Sequence, residues 1–218
     1  MITGRNKRLE VPFIGDAIKS PGGMLSTVLD QLARNAVDQV CWHKLEHKPR
    51  VEFSIGYNRE AMYVKFYVTE NAHSATFKQH NEPVYKDSCV EFFIAIDDSG
   101  NYYNFEFNSL GACLASYGKD RHARIKLDEQ LIATIETTTV WRSKLPERNL
   151  YQWEITVAFT PAVFYFNNIQ HFAPDSYKAN FYKCGDDLPI PHYLSWNPVT
   201  STVVDFHQSR YFGVLHLI

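Results

Sequence analysis

The sequence predicts an all-β fold: an antiparallel two-sheet β-sandwich with a peripheral N-terminal helix, formed by residues 1–218 as a single domain. Three observations support this fold class. Apolar and polar residues alternate along most of the chain, a single segment has helical periodicity, and turn-forming residues separate the alternating runs. The 218 residues are 45% hydrophobic and 15% aromatic, which provides a core and favours strands over helices.

One segment, residues 24–40, has the periodicity of an amphipathic helix. Its apolar residues recur at intervals of three and four, which places them on one helical face. These residues are Leu25, Val28, Leu29, Leu32, Ala36 and Val40. The turn-forming sequence Pro21-Gly22-Gly23 precedes the segment. We therefore predict a peripheral helix that covers one end or edge of a sheet.

Two β-hairpins are predicted after the helix. The first joins residues 51–55 to residues 64–68, and the second joins residues 90–96 to residues 103–107. The connection Asp97-Asp98-Ser99-Gly100-Asn101 has the composition of a calcium loop, but it lacks the ligand spacing and the terminal Glu of one. A simple turn is therefore predicted there. Further strands are predicted at residues 131–138, 150–159, 177–184 and 211–217.

The charge balance bears on possible partners. The chain has 22 Lys and Arg against 24 Asp and Glu, a formal net charge of −2, which gives no electrostatic argument for binding nucleic acid or an anionic membrane. No apolar run is long enough to span a bilayer. The first ten residues are polar and no secretory signal follows them, so a cytoplasmic location is expected if the chain is full length. A mature secreted protein would have the same features, so localisation stays open.

The four cysteines are widely spaced, and no two of them form a C-x-x-C pair. A zinc or redox motif is therefore unsupported by the spacing. Buried free thiols are predicted, with a disulfide as the alternative. The residues are Cys41, Cys89, Cys113 and Cys184.

The outward faces of three predicted strands carry polar groups. Because side chains alternate along a strand, the inward direction of the apolar residues fixes which residues point outward. These are Glu91, Phe93, Tyr102, Asn104, Glu106 and Asn108 on the second hairpin, and Lys178, Asn180 and Tyr182 on residues 177–184. Such groups can read sugar hydroxyls, and an aromatic ring can pack on the C–H face of a pyranose. A solvated outer face is the alternative, and Glu91 with Glu106 could also be the paired carboxylates of a glycosidase.

Several motifs together resemble the family 9 carbohydrate-binding modules, and more closely the stand-alone family 9-like proteins of bacteria. The motifs are VYKDSCVEFFIAI at residues 84–96, YYNFEFNSLG at 102–111, ANFYKCGDDLPIPHYLSWNPV at 179–199, DFHQSRYFGVLHL at 205–217, and the region 42–70. The resemblance implies a β-sandwich that binds saccharides without catalysis, often at a reducing end, between two aromatic side chains.

The resemblance also implies roles for individual residues. Tyr85, Asp87 and Glu91 occupy a family pattern whose first position tends to be Trp in sugar-binding members, and the second stacking aromatic resembles Trp196. The hydrogen-bonding groups would be Glu91, Asn104, Glu106, Lys178 and Asn180. Asn104 and Glu106 fall where the family places polar residues beside the sugar, and an Arg that is commonly expected there is missing. Family members often hold a structural calcium ion, and no other cofactor is implied.

Two other classes of function remain open. An interaction or scaffold domain could keep the fold without the sugar site. A haem or redox domain of the related DOMON type would need axial ligands such as Met or His, and none of the three methionines lies on the predicted polar face.

Overall fold

A computed structural model describes residues 6–17, 23–42, 45, 48–145 and 150–218. The strands are β1 (Arg8–Val11), β2 (Asn35–Ala36), β3 (Gln39–Val40), β4 (Arg50–Tyr57), β5 (Met62–Glu70), β6 (Cys89–Ala95), β7 (Tyr102–Asn108), β8 (Cys113–Gly118), β9 (Arg124–Lys126), β10 (Glu136–Leu145), β11 (Leu150–Phe159), β12 (Ser176–Cys184), β13 (Tyr193–Ser195) and β14 (Gly213–Leu217). The helices are α1 (Gly23–Gln31) and α2 (Glu129–Ile132), with 3-10 turns at Val84–Lys86, Pro161–Val163, Tyr165–Asn167 and Ser209–Tyr211.

The strands form two sheets, which confirms the predicted sandwich. In the nine-stranded sheet the order is β1-β14-β12-β6-β7-β8-β9, and β13 joins β12 to β3. In the five-stranded sheet the order is β10-β11-β5-β4-β2. Both predicted hairpins are confirmed as the antiparallel pairs β4–β5 and β6–β7. The pair β1–β14 is parallel, a departure from the predicted antiparallel pattern at one edge.

The core lies between the inner faces of the two sheets. The apolar residues of both hairpins point into it, as alternation predicts, and residues such as Val51, Val64 and Val90 are buried there. Phe53 of β4 stacks on Phe181 of β12 with ring centroids 3.6 Å apart, a direct contact across the sandwich. The inward residues are thereby committed to packing, and any ligand site must be sought on the outer faces.

The predicted helix is shorter than its apolar periodicity indicates. Helix α1 ends at Gln31, and residues 35–36 and 39–40 are strands, because their backbone groups pair with β4 and β13. Val37 donates its N–H to Val51 O and is fully buried between the sheets. Helix α1 packs on the outer face of the five-stranded sheet through Leu25 and Leu29, which confirms that the helix is peripheral. Residues 21–22 of the predicted turn lie outside the described residues.

Other strand predictions differ at their boundaries. Residues 131–132 belong to α2, which begins after Asp128, whose side chain accepts from the Gln130 N–H and caps the helix. The strand predicted there begins at Glu136, and the last strand begins at Gly213. All four cysteines are buried free thiols, as predicted. None of the described helices is long and apolar enough to cross a membrane.

Candidate functional site

A cleft of about 590 Å³ opens on the outer face of the nine-stranded sheet, within the size range of small-molecule sites. Its floor is formed by outward side chains of the central strands β6, β7, β8 and β12. Irregular segments that run over this face build the rim. Asp87 holds a neighbouring segment on the same face by accepting hydrogen bonds from the N–H groups of Thr76 and Phe77 and from Asn108 Nδ2.

Two carboxyl groups lie side by side on the floor. Glu91 of β6 and Glu106 of β7 are directly opposite each other in the ladder, and they are 3% and 4% exposed. Burial and the neighbouring charge of Glu106 raise the pKa of Glu91 well above its ordinary value. Burial raises the pKa of Glu106 to about 7. The floor therefore holds protons at a pH where isolated carboxyl groups would be ionised.

One oxygen of Glu106 is left without a hydrogen-bond partner. Arg124 of β9 donates Nε–H to Asn104 Oδ1 at 2.8 Å, and Asn104 Nδ2 donates to Glu106 Oε1 at 2.9 Å. The other four N–H groups of Arg124 donate to backbone carbonyls, so its five donors are all used. Glu106 Oε2 is buried and receives none of them. A buried acceptor of this kind is costly unless a ligand or water supplies a donor.

Partly exposed aromatic rings line the rim of the cleft. Trp42 has a φ of 64°, a conformation that is strained for a bulky residue and that is concentrated at functional sites. Its indole N–H donates to Ser201 O at 2.8 Å, and its ring contacts Phe206 at 5.1 Å and Tyr193 at 5.6 Å. Tyr85 lines the cleft from the 3-10 turn Val84–Lys86. These rings provide the flat apolar surfaces of the cleft.

The rim also carries basic side chains. Arg121 and His122 are exposed beside the cleft, and Lys126 donates to Asn81 O. His207 faces the cleft and lies 3.2 Å from the Tyr102 hydroxyl, and burial lowers its pKa to about 3. Its imidazole is therefore neutral at ordinary pH. The cleft combines a protonated acidic floor with a rim of mixed charge, because Asp186 and Asp205 also line it.

Four of the seven predicted binding residues lie together at this cleft: Tyr85, Glu91, Asn104 and Glu106. Trp196 is not among its lining residues. Trp196 is 3% exposed and belongs to the core between the sheets, where its ring contacts Phe53 and Phe181 edge to face. Gly213 packs so closely on the Trp196 ring that an added Cβ would lie 2.5 Å from it. Its ring faces therefore serve packing, which corrects the placement expected from the resemblance.

Asn180 and Lys178 also lie outside the cleft, each for its own reason. Asn180 is fully buried and donates to the carbonyls of Asn197 and Tyr211, so it fastens an overlying segment to β12. Lys178 is near the far end of β12, where its exposed ammonium pairs with Asp98 at 2.6 Å. Both residues point outward as alternation predicts, but their polar groups are already bound by other parts of the chain.

Sequence reasoning missed several residues at the cleft, including Trp42, Arg121, Arg124 and Tyr193. Arg124 places a guanidinium beside the floor although the quoted motifs lack an arginine there. It comes from the three-residue strand β9, which has no periodic signal of its own. Tyr193 could have been found, because it has the opposite strand parity to the inward Leu194.

The calcium ion implied by the family resemblance does not fit the turn at residues 97–101. Asp97 Oδ1 accepts from the Ser99 N–H, and Asp97 Oδ2 accepts from Asn167 Nδ2. Asp98 is paired with Lys178. The carboxylates are thus bound to different partners and do not converge on one point, as the six to eight oxygen ligands of Ca²⁺ require.

Comparison with known proteins finds solved structures that are similar to this one. A crystal structure of a protein from Bacteroides uniformis ATCC 8492, provisionally described as carbohydrate-binding, has a TM-score of 0.89 and 27% identity, over 98% of this chain and 100% of that one. A family 9 carbohydrate-binding module from Caldicellulosiruptor kristjanssonii, solved with cellotriose, has a TM-score of 0.58 and 14% identity over 97% of this chain and 93% of that one. The same source's module with glucose has a TM-score of 0.58 and 13% identity over 97% and 96%.

The two structures from Caldicellulosiruptor kristjanssonii show that the fold is shared. No curated protein matches the sequence. The pattern of carbohydrate-binding family 9 matches residues 24–217, nearly the whole chain. The protein belongs to carbohydrate-binding family 9.

Proposed function

We propose that the protein acts as a single non-catalytic domain that binds a saccharide in the cleft on the nine-stranded sheet. The observation that carries this proposal is the buried Glu106 Oε2, which has no hydrogen-bond partner although it faces a cleft lined by aromatic rings. A scaffold domain that had lost its ligand would have no use for such an acceptor, since an apolar residue there would be less costly.

The polar floor suits the hydroxyl groups of a sugar. Sugar hydroxyls can donate to Glu106 Oε2 and to the neighbouring carboxyl of Glu91. The chain from Arg124 through Asn104 fixes the Glu106 carboxyl before the ligand arrives, which reduces the entropy lost on binding. Arg124 therefore positions the acceptor and has no N–H group left for the ligand.

The aromatic rim suits the C–H face of a pyranose. We propose Tyr85 and Trp42 as the two stacking residues, with Trp42 in the role first expected of Trp196. The strained backbone of Trp42 and the hydrogen bond of its indole to Ser201 support this choice, because they hold the ring in one orientation. Stacking contributes on the order of 1 kcal/mol beyond the buried area.

We propose binding and not hydrolysis because the pattern of carbohydrate-binding family 9 matches residues 24–217. Glu91 and Glu106 are then assigned to hydrogen bonds with sugar hydroxyls. No nucleic-acid partner is proposed, since the net charge is −2.

Calorimetric titration of matched variants tests the proposal. The first saccharides to use are glucose and cellotriose, the ligands in the two similar structures, followed by a glycan array. At about pH 8, where Glu106 is ionised, Glu106→Gln should weaken binding about tenfold or more, since a hydrogen bond to a charged group contributes roughly 1.5–3 kcal/mol. Tyr85→Ala and Trp42→Ala should each weaken binding about fivefold.

Tyr165→Ala is the matched aromatic control, because Tyr165 is 65% exposed and is not among the residues lining the cleft. It should bind as the wild type does. Wild-type affinity in folded Glu106→Gln and Tyr85→Ala variants would place the site elsewhere. Release of new reducing ends during incubation with an oligosaccharide would show that the protein is an enzyme.

A further inference from the structure

Two buried thiols and a carboxyl group meet at one corner of the cleft floor. Cys89 begins β6 and Cys184 ends β12, and the two residues are direct partners in the antiparallel ladder. Glu91 lies two residues after Cys89, so alternation puts all three side chains on the outer face. All three are buried, and Glu91 and Cys184 also line the cleft. The C-x-x-C spacing that would signal such a cluster is absent because the two cysteines come from different strands.

The ligand atoms are close enough to share one ion. The two sulfur atoms and a Glu91 oxygen all lie within 4.8 Å of one another, and Cys184 Sγ donates to Glu91 Oε1 at 3.0 Å. Tetrahedral zinc, with bonds of about 2.3 Å to sulfur and about 2.1 Å to oxygen, separates its ligand atoms by roughly 3.5–3.8 Å. The 4.8 Å limit that contains the three ligand atoms is within about 1.5 Å of these separations.

We propose that Cys89, Cys184 and Glu91 form a binding site for a thiophilic divalent cation, with Zn²⁺ as the best fit. Two thiolates exclude Ca²⁺ and Mg²⁺, which prefer oxygen ligands, and select a softer ion. On binding, Zn²⁺ displaces the two thiol protons, and the carboxyl proton where Glu91 is protonated, and these protons pass to the solvent. No redox change is involved.

The site is built on rigid elements and keeps one position open. Cys89 and Glu91 are fixed by the ladders of β6 with β12 and β7, in the middle of the sheet. Three protein ligands leave a fourth tetrahedral position for water or for an oxygen of a ligand in the cleft, as in zinc sites that are not purely structural. Glu106 Oε2, on the adjoining strand, is available to accept a hydrogen bond from a bound water.

Uptake of the ion should weaken as the pH falls, because each bound ion competes with protons for the same sulfur and oxygen atoms.

Metal titration of the full chain tests the site without any sugar. Protein kept under reductant and stripped with chelator should bind one equivalent of Zn²⁺, with a rise in Tm. Co²⁺ in its place should give the intense visible bands of a tetrahedral ion and a thiolate-to-cobalt charge-transfer band. Cys184→Ser should weaken Zn²⁺ binding by at least about a hundredfold, since losing even an outer-shell partner costs 10–100-fold. Cys41→Ser, which alters a buried thiol outside the cluster, should bind as the wild type does.

The Co²⁺ spectrum of the wild type tests whether thiolates bind the ion, and it does so even where Cys184→Ser fails to fold. Absence of the charge-transfer band, or binding of Zn²⁺ that Cys184→Ser retains, would overturn the proposal. So would a Cys89–Cys184 disulfide in air-oxidised protein together with no zinc uptake by the reduced protein. Because these readouts use the metal alone, a failure here leaves the saccharide proposal standing, and failure of sugar binding leaves the metal site standing.

Discussion

The outer faces of the two sheets both bury charged side chains, but they treat them in opposite ways. On the five-stranded sheet, Lys65 is 1% exposed and lies 2.6 Å from Asp30 of α1 and 2.9 Å from Glu154 of β11. On the nine-stranded sheet, Glu91 and Glu106 face each other, and no described residue forms an ion pair with either. The outer face of the five-stranded sheet neutralises its buried charge with ion pairs. The outer face of the nine-stranded sheet leaves Glu106 Oε2 without a hydrogen-bond donor.

The pKa values follow this difference. Burial opposes ionisation of Asp30 and Glu154, yet hydrogen bonds from Lys65, with those from Tyr67 to Asp30 and Arg142 to Glu154, hold both pKa values below normal. On the other face burial raises the pKa values of both carboxyl groups. A buried charge with partners within the chain belongs to the scaffold. Glu106 Oε2 lacks such a partner and lies at a cleft, so it indicates where a ligand could complete the structure.

The largest effect should come from the core that separates the two outer faces. Trp196→Ala removes a buried indole that Gly213 and two phenylalanine rings enclose, so the free energy of unfolding should fall by about 4–5 kcal/mol. Saccharide affinity of the folded fraction should stay within about twofold of the wild type. Denaturant unfolding and calorimetric titration measure the two quantities. A stable variant with greatly weakened sugar binding would show that Trp196 belongs to the saccharide-binding site.

The second largest effect on stability should come from the ion pairs on the outer face of the five-stranded sheet. Lys65→Met leaves Asp30 and Glu154 without their shared cation, so the free energy of unfolding should fall by about 3–4 kcal/mol. This loss is near the lower end of the range for breaking a buried ion pair, because Asp30 is partly exposed and Arg142 still contacts Glu154. Urea unfolding at neutral pH gives the value. Glu106→Gln is the matching change on the outer face of the nine-stranded sheet, and it should not destabilise the protein at the same pH. An equal fall in the free energy of unfolding of both variants would contradict the difference between the two faces.

The pH dependence of stability should differ between the faces in sign. Because the folded pKa of Glu106 is raised from 4.5 to about 7, the folded state holds a proton that the unfolded state has lost in this window. Stability should therefore fall as the pH rises from about 4.5 to about 7, by no more than about 3 kcal/mol. Asp30 and Glu154, with lowered pKa values, should instead lose stability only as the pH falls below about 4.

Unfolding of wild type and Glu106→Gln across this range measures the contribution of Glu106 together with its effect on the pKa of Glu91. The difference between the two curves should grow as the pH rises from about 4.5 to about 7. A difference that is flat, or that slopes the other way, would show that Glu106 is already ionised in the folded protein.

The smallest effect should be at Lys178, which sequence reasoning placed in the site. Lys178→Ala removes an exposed pair with Asp98 outside the cleft, so neither Tm nor saccharide affinity should change measurably. Thermal melting and titration of this variant check both. A loss of affinity would extend the binding surface along β12 beyond the cleft.

Alternation was enough to predict the two hairpins and to place three of the floor residues on one face. Glu91, Asn104 and Glu106 were found because the register of a half-buried strand is fixed by its apolar side chains. The same rule applied to residues 193–196 would have turned Trp196 inward with Leu194 and exposed Tyr193. The family resemblance pointed the other way, and local side-chain alternation was the better guide.

The remaining features depend on contacts between distant parts of the chain. Residues 32–40 have helical spacing, but pairing of 35–36 with β4 and of 39–40 with β13 outweighs that propensity. Trp42 and Arg124 reach the cleft from an irregular segment and a three-residue strand, which have no periodic pattern to read. The outward direction of Asn180 was predictable, but the segment that buries it was not.

The most direct test of the account is a crystal structure of the protein with a saccharide that binds in solution. The account predicts a sugar hydroxyl within hydrogen-bonding distance of Glu106 Oε2, and the apolar face of the ring against Tyr85 or Trp42. A saccharide bound on the five-stranded sheet or at the far end of β12, with Glu106 Oε2 still lacking a ligand donor, would contradict it.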